Sequence, residues 1–246
     1  MRTFVIGDVH GHYDRLVNLI ARAGAAAKDV QIVQLGDLGH FGADTQDGDR
    51  RCYELAQAGK FIVLWGNHDR AVVDPVHHKF RGYVPPGPQM QDLIEGMVRP
   101  LNAYAADGYL LTHAGLHPAW SAKPMLHSLS AEGWASLLND MPYDASVLCD
   151  IGPVRGGSKR RGGIFWRDAR EALYSGVQQV FGHTRGMVRE YPCGTGRSFC
   201  IDTGDKTNGS LVGMWLDTGK IVAVGPDAEQ YENYPPVDGS TFGFNH

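Results

Sequence analysis

The stretch FVIGDVHGH places Asp8, His10 and His12 within five residues, directly after an apolar run. The same arrangement recurs along the chain. Gly36-Asp37 follows Val30–Leu35, Gly66-Asn67-His68-Asp69 follows Phe61–Trp65, His113-Ala114-Gly115 follows Tyr109–Thr112, and Gly182-His183 follows VQQVF. Asp8, His10, Asp37, Asn67, His113 and His183 together offer carboxylate oxygens, an amide oxygen and imidazole nitrogens, with no thiolate. That set suits Mn, Fe or Zn ions better than calcium or a structural zinc. Six donors exceed the needs of a single catalytic zinc, and a carboxylate can bridge ions about 3.5–4 Å apart, so two divalent ions are expected. Each residue alone has a plainer reading, the aspartates as turn formers and the histidines as satisfied polar groups. The metal reading rests on the five strand ends taken together.

Residues scattered from 8 to 183 can meet only if the fold brings those strand ends to one edge. The spacing predicts this. Thr3–Ile6, Val30–Leu35 and Phe61–Trp65 read as strands, separated by helical periodicity over Tyr13–Ala23 and over Asp49–Ala58. This βαβαβ rhythm implies a parallel sheet, whose C-terminal edges form a ligand crevice. Beyond it, the prolines at 75, 85, 86, 88 and 100 predict a loop with a short helix around Gln91–Val98. Residues 116–163 read as a cap-like insertion with a helix near Glu132–Leu138 and the basic loop GPVRGGSKRRGG. Capping-box spacing of Asp168 and Glu171 predicts a further helix over Ala169–Tyr174. Short strands follow, with a hairpin turn at Asp217-Thr218-Gly219. After 226 the chain reads as coil, and the whole as one α/β domain over 1–246.

Composition narrows the class. The 246 residues are 43% hydrophobic and 20% charged, enough to bury a core and a cleft without staples. A formal charge of −4 argues against nucleic acid as an obligate partner. The four cysteines form no CxxC pair, and only Cys193 and Cys200 could meet across a hairpin. No apolar run is long enough to span a bilayer and no leader pattern precedes the first strand, so a cytoplasmic, membrane-free protein is expected.

The blocks GDVHG, GD at 36–37, GNHD, HAG and GHT resemble, in order, the signature blocks of calcineurin-like metallophosphoesterases. With FGHT and the later IDTG, the chain is most similar to the bacterial and phage branch of the phosphoprotein phosphatase group, which includes symmetrical dinucleoside tetraphosphatases. The resemblance covers residues 4–204. It implies a four-layer α/β/β/α sandwich of two mixed sheets flanked by helices, and hydrolysis of phosphate esters. Carried over by position, Asp8 and His10 would hold the first ion, Asp37 would bridge, and Asn67, His113 and His183 would hold the second. The ions would acidify a shared water for in-line attack at phosphorus, with manganese as the expected metal and iron or zinc as alternatives. His68 is the candidate proton donor, with Asp69 supporting it. Arg70, Arg155 and Arg167 are the candidate phosphate-binding arginines. His12, and the histidines at 77, 78, 117, 127 and 246, have no comparable placement.

One block departs from the family pattern. Where Gly-Asp-x-x-Asp-Arg-Gly is usual, positions 36–42 read GDLGHFG, with His40 and Phe41 in place of the acid and the arginine. His40 or Asp69 is expected to take over support of His68, and the basic loop to supply positive charge. The leading expectation is a phosphomonoesterase of the serine/threonine protein phosphatase kind. The rivals are a symmetrical dinucleoside tetraphosphate hydrolase, for which Trp166, Tyr83 or Phe41 could stack a base, a phosphodiesterase, and a catalytically silent metal-binding scaffold. The partner in the leading readings is a phosphorylated protein or a small phosphate ester.

Overall fold

The computed structural model describes residues 1–232, apart from 43, 77, 79–81, 123, 195 and 205–208. Its strands are β1 Arg2–Ile6, β2 Val30–Gln34, β3 Ile62–Val63, β4 Tyr104–Ala106, β5 Tyr109–Leu111, β6 Gln178–Phe181, β7 Arg189–Cys193, β8 Gly196–Cys200, β9 Leu211–Trp215 and β10 Ile221–Val224. They form two five-stranded sheets, ordered β10-β9-β1-β2-β3 and β4-β5-β6-β8-β7. β1, β2 and β3 are parallel, joined through the helices α1 Tyr13–Ala23 and α2 Gln46–Ala58 as the rhythm predicted. In the second sheet β5, β6 and β8 are parallel, while β4 and β7 run antiparallel at its edges.

Period-2 alternation assigns the faces. Val5 and Val33 point inward and share a buried cluster with Leu111, Val180 and Phe199 of the other sheet. Phe4, Ile6 and Ile32 point outward and pack with Leu16, Leu19 and Ile20 of α1. On the far side, Leu110 meets Trp134 and Leu138 of the helix over Ala131–Asn139. Each such side chain contributes about 1.5–3 kcal/mol by leaving water. The result is the expected α/β/β/α sandwich of two mixed sheets. No helix among the described residues is long and apolar enough to cross a membrane.

Several local expectations change. Residues 169–174 form a turn at 169–170 followed by irregular chain, not a helix. The fully buried Arg167 donates from Nε to the Ala114 carbonyl and from Nη1 to the carbonyls of Asp168 and Glu171, and Tyr174 N–H goes to the Leu116 carbonyl. Tertiary partners thus claim the backbone groups a helix would have used. β3 is only two residues long, and a short helix begins at once, over Asn67–Val73. Residues 88–98 form one α-turn running into a π-helix over Asp92–Val98. All four cysteines are free. In the β7–β8 pairing Cys193 faces Gly196 and Cys200 faces Arg189, so the two thiols sit at opposite ends of the hairpin. The 217–219 hairpin forms as predicted, whereas the segment read as coil opens with a helical turn at Glu229–Glu232. Residues 233–246 of that tail, with His246, and also His77, lie outside the described residues.

Candidate metal centre and active site

The ends of β1, β2, β3, β5 and β6 bring their polar residues to one crevice at the shared C-terminal edges of the two sheets. Asp8, His10 and Asp37 each place a ligand atom within 4.8 Å of the others, and so do Asp37, His113 and His183. Asp37 belongs to both groups, which is the position a bridging carboxylate needs. His10 Nε2 lies 3.9 Å from Asp8 Oδ2 and 3.9 Å from Asp37 Oδ2. His113 Nε2 lies 3.1 Å from Asn67 Oδ1, 3.1 Å from His183 Nδ1 and 3.6 Å from Asp37 Oδ1. The Leu35 carbonyl can only accept, so His113 Nδ1 at 2.9 Å must carry the proton and Nε2 presents its lone pair to the crevice.

The electrostatics fit divalent cations. Asp8, Asp37, Asp69 and Asp202 are all at most 3% exposed. Burial, helped by Asp202 and Asp37, pushes the Asp8 carboxyl well above its usual range. Burial pushes His113 down to about 4 and His183 well below its ordinary value, so both imidazoles are neutral, the form a metal requires. His183 Nε2 is buried and has no hydrogen-bond partner among the described residues. Two divalent ions would neutralise these crowded buried carboxylates, and the neutral imidazoles are in the form that ligates them.

The backbone is bent to build this crevice. His10, Asp37 and His183 adopt φ of 51°, 55° and 69°, a left-handed conformation unusual for non-glycine residues. The strained turns aim consecutive side chains into one space. At Gly182 a Cβ would strike Asp8 Oδ1, so only glycine lets β6 approach β1 there. His183 N–H then donates to both Asp8 carboxylate oxygens, at 3.1 and 3.2 Å, tying one sheet to the other. His68 N–H holds Asp37 Oδ1 at 2.8 Å.

The other expected residues divide. His68 lies in the crevice, with Nε2 3.9 Å from Asp37 Oδ2 and its ring stacked on His40 at 5.1 Å. Its Nδ1 donates to the His40 backbone carbonyl at 3.0 Å. Support for His68 therefore comes from His40, through the main chain. Asp69 does not take that role. Its carboxylate accepts from Asp37 N at 2.6 Å, Gly66 N at 3.0 Å, Gly39 N at 3.3 Å and the Tyr53 hydroxyl. It is a buried brace beneath the two loops. Arg70 is 4% exposed, with its guanidinium over the Tyr143 ring and Nη2 on the Tyr143 carbonyl. Arg167 is the strut described above. Arg155 reaches the crevice rim, with Nη2 3.1 Å from the His183 carbonyl and 2.8 Å from Thr184 Oγ1. Of the proposed base-stacking rings, Trp166 is 9% exposed and stacked on His78, and Phe41 is 1% exposed, leaving Tyr83 half-buried. His12 is the N-cap of α1.

Two acids lacked a role in the sequence reading. Asp49 is fully buried and accepts from His40 N at 2.8 Å and Phe41 N at 2.9 Å, shaping the GDLGHFG loop. Its signal was an acid in the same helical stripe as the buried Cys52, Tyr53 and Ala56. Asp202 ends β8 as His183 ends β6, since Phe181 pairs with Cys200. Its Oδ2 is buried and has no hydrogen-bond partner among the described residues. FCIDTG repeats the apolar-run-then-Asp pattern, and a sixth strand end was legible there.

Residues 1–185 match the family model for calcineurin-like phosphoesterase. A symmetrical bis(5'-nucleosyl)-tetraphosphatase of Methylobacillus flagellatus is 28% identical over 135 residues, covering 52% of this chain and 48% of that protein. The chain thus matches about half the length of that curated relative. One of the same name from Methylococcus capsulatus is 26% identical over 264 aligned positions, covering 88% of this chain and 92% of the relative. Among solved structures, a protein serine/threonine phosphatase from Saccharomyces cerevisiae superposes with a TM-score of 0.56 at 13% identity, over 96% of this chain and 82% of that one. That likeness is one of fold. By the match over most of its length, the chain belongs to the calcineurin-like phosphoesterase family.

Proposed function

We propose that this phosphoesterase is a symmetrical dinucleoside tetraphosphate hydrolase, in preference to the serine/threonine phosphatase that the sequence blocks alone put first. The names of its relatives favour this reading, and the observation that carries it is the support of His68. A serine or threonine alkoxide is a strongly basic leaving group and demands an imidazolium well stabilised behind the ring. Here the partner of Nδ1 is a neutral carbonyl, 3.0 Å away, and the nearby Asp69 is committed to backbone N–H groups. A nucleoside diphosphate leaves as a far weaker base, with a phosphate pKa of about 6, and needs little protonation.

Asp8, His10 and Asp37 would hold one divalent ion, and Asp37, Asn67, His113 and His183 the other. When bound, such ions supply Lewis acidity, giving a more acidic water and neutralised phosphoryl oxygens. His68 Nε2 would deliver the proton to the departing oxygen, and Arg155 would orient the phosphate at the rim. Attack by water on the second phosphate would break its bridge to the third and release two nucleoside diphosphates.

The test is a Mn²⁺-loaded panel of diadenosine tetraphosphate, a phosphoserine peptide, para-nitrophenyl phosphate and its bis-ester. ADP as the nucleotide product, with kcat/KM above that for the peptide by tenfold or more, is expected. Faster phosphate release from the peptide would overturn the reading in favour of a protein phosphatase. Inactivity on every member would leave a metal-binding scaffold.

A further inference from the structure

Beside the metal centre, on the outer side of His183, lie two adjoining clefts of about 410 and 510 Å³ that share Asp168, Thr184 and Arg185 in their walls. The inner cleft begins at Arg155, the guanidinium on the His183 carbonyl. The outer one ends at Arg189 and the half-buried ring of Tyr191. A ligand could therefore run from the crevice rim outward along one continuous path.

That path carries unbalanced positive charge. Arg155 and Arg170 share one carboxylate, Asp168, at 2.9 and 2.8 Å. Glu190, the other acid in the walls, is paired with Arg197. Arg189 donates to the carbonyls of Thr184 and Arg185 and, among the described residues, pairs with no carboxylate. Arg185 is exposed, and among the described residues no carboxylate lies within ion-pair distance of it. It still stands within electrostatic reach of the buried Asp202 beside Asp8, and so of the centre itself. Uncompensated guanidiniums in a row, reached from the rim and closed by an aromatic ring, match a chain of phosphates ending in a base.

Resting on the dinucleotide reading of the active site, we propose that these clefts bind the phosphates and nucleoside beyond the scissile bond, with Arg185 as the residue that selects a polyphosphate over a simple ester. A guanidinium forks onto two oxygens of one phosphate, whereas para-nitrophenyl phosphate offers nothing at that distance from the centre. Arg185 is exposed and, among the described residues, its side chain makes no hydrogen bond or ion pair, so its replacement reports on the ligand.

The experiment compares wild type, Arg185→Ala and Arg185→Lys. Steady-state kinetics on diadenosine tetraphosphate, para-nitrophenyl phosphate and an acidic phosphoserine peptide are paired with calorimetric binding of inorganic tripolyphosphate to chelator-treated protein. Arg185→Ala should lower the selectivity for the dinucleotide over para-nitrophenyl phosphate by about tenfold to a hundredfold, through KM. Tripolyphosphate binding should weaken by a similar factor and lose part of its salt dependence. Lysine, which keeps the charge without the fork, should restore part of both. If wild type cleaves the dinucleotide and Arg185→Ala keeps the same selectivity, the subsite is overturned while the proposed activity stands. If wild type ignores the dinucleotide but binds tripolyphosphate in an Arg185-dependent way, the activity falls and the phosphate-chain site stands. An Arg185-dependent preference confined to the acidic peptide would overturn the assignment to nucleotides.

Discussion

Replacing Asp69 separates bracing from charge. Its carboxylate accepts from three backbone N–H groups, of Asp37, Gly66 and Gly39, and from the Tyr53 hydroxyl, all buried. Asp69→Ala strands those donors. A buried unsatisfied donor costs about 1–3 kcal/mol. The Gly39 bond is already long at 3.3 Å and the phenol can turn, so a loss of about 3–5 kcal/mol is expected. Asp69→Asn should behave differently. Its carbonyl can face Asp37 and Gly66 while its amide donates to the Tyr53 oxygen, leaving the Gly39 N–H and the Tyr53 hydroxyl proton without their former acceptor. It also removes a charge that is costly to bury, because burial and Asp37 lift this carboxyl from 3.8 to about 6. For an acid raised on folding, the native state holds the proton more tightly, so the favourable contribution exists at low pH and is lost as pH rises through about 6. Two units correspond to about 3 kcal/mol. Asp69→Asn should therefore gain on wild type by up to about 3 kcal/mol between pH 4 and pH 7.5, ending less than about 2 kcal/mol below it. Urea denaturation of chelator-treated protein at both pH values measures this. A loss under about 1 kcal/mol for Asp69→Ala would refute the bracing argument. Equal losses for Asn and Ala at pH 7.5 would show that the charge, not hydrogen-bond acceptance, holds the loops.

Further outcomes follow from the same geometry. His68→Asn should lower kcat by about 10²–10⁴ with metal content unchanged, measured by kinetics beside elemental analysis; undiminished activity would remove His68 as the proton donor. Arg167→Met strands three carbonyls, so Tm should drop by roughly 6–12 °C with little change in KM. Arg155→Ala should do the reverse, raising KM about tenfold at nearly constant Tm, and a matching pattern in both variants would contradict their separate placement. His113 is depressed from 6.5 to about 4, so in chelator-treated protein the unfolded chain takes up a proton that the native state refuses. Its contribution to stability is therefore present above pH 6.5 and is lost as pH falls toward 4, by at most about 3 kcal/mol. Asp49 and Asp69, both lifted to about 6, slope the other way, so wild type is compared with His113→Asn at each pH.

Residue order alone determined which side chains could meet. An apolar run that ends in Asp, Asn or His is a strand with its last polar residue at the C-terminal edge, and β-α-β spacing makes those edges coincide. Asp8, His10, Asp37 and Asn67 were legible for that reason; His113 and His183, and Asp202 by the same rule, could be read as strand ends, but they lie on the second sheet, which packing brings to the same crevice. The tertiary structure decided what neighbouring residues do, because one residue of rotation on a turn or helix exchanges crevice for core. Asp69 and Arg70 follow directly on His68, yet the helix beginning at Asn67 carries one down onto backbone N–H groups and the other beneath Tyr143. Arg155 and Arg167 looked alike as cations in one region, and only packing shows one at the rim and one walled in by carbonyls. Of the two supports expected for His68, it is His40 that lies on Nδ1, and through its carbonyl, which the residue type could not show because backbone groups leave no mark on it. Local sequence fixes which atoms are available and the periodicity that sorts them; long-range packing sets where each donor points, and that direction separates a ligand from a strut.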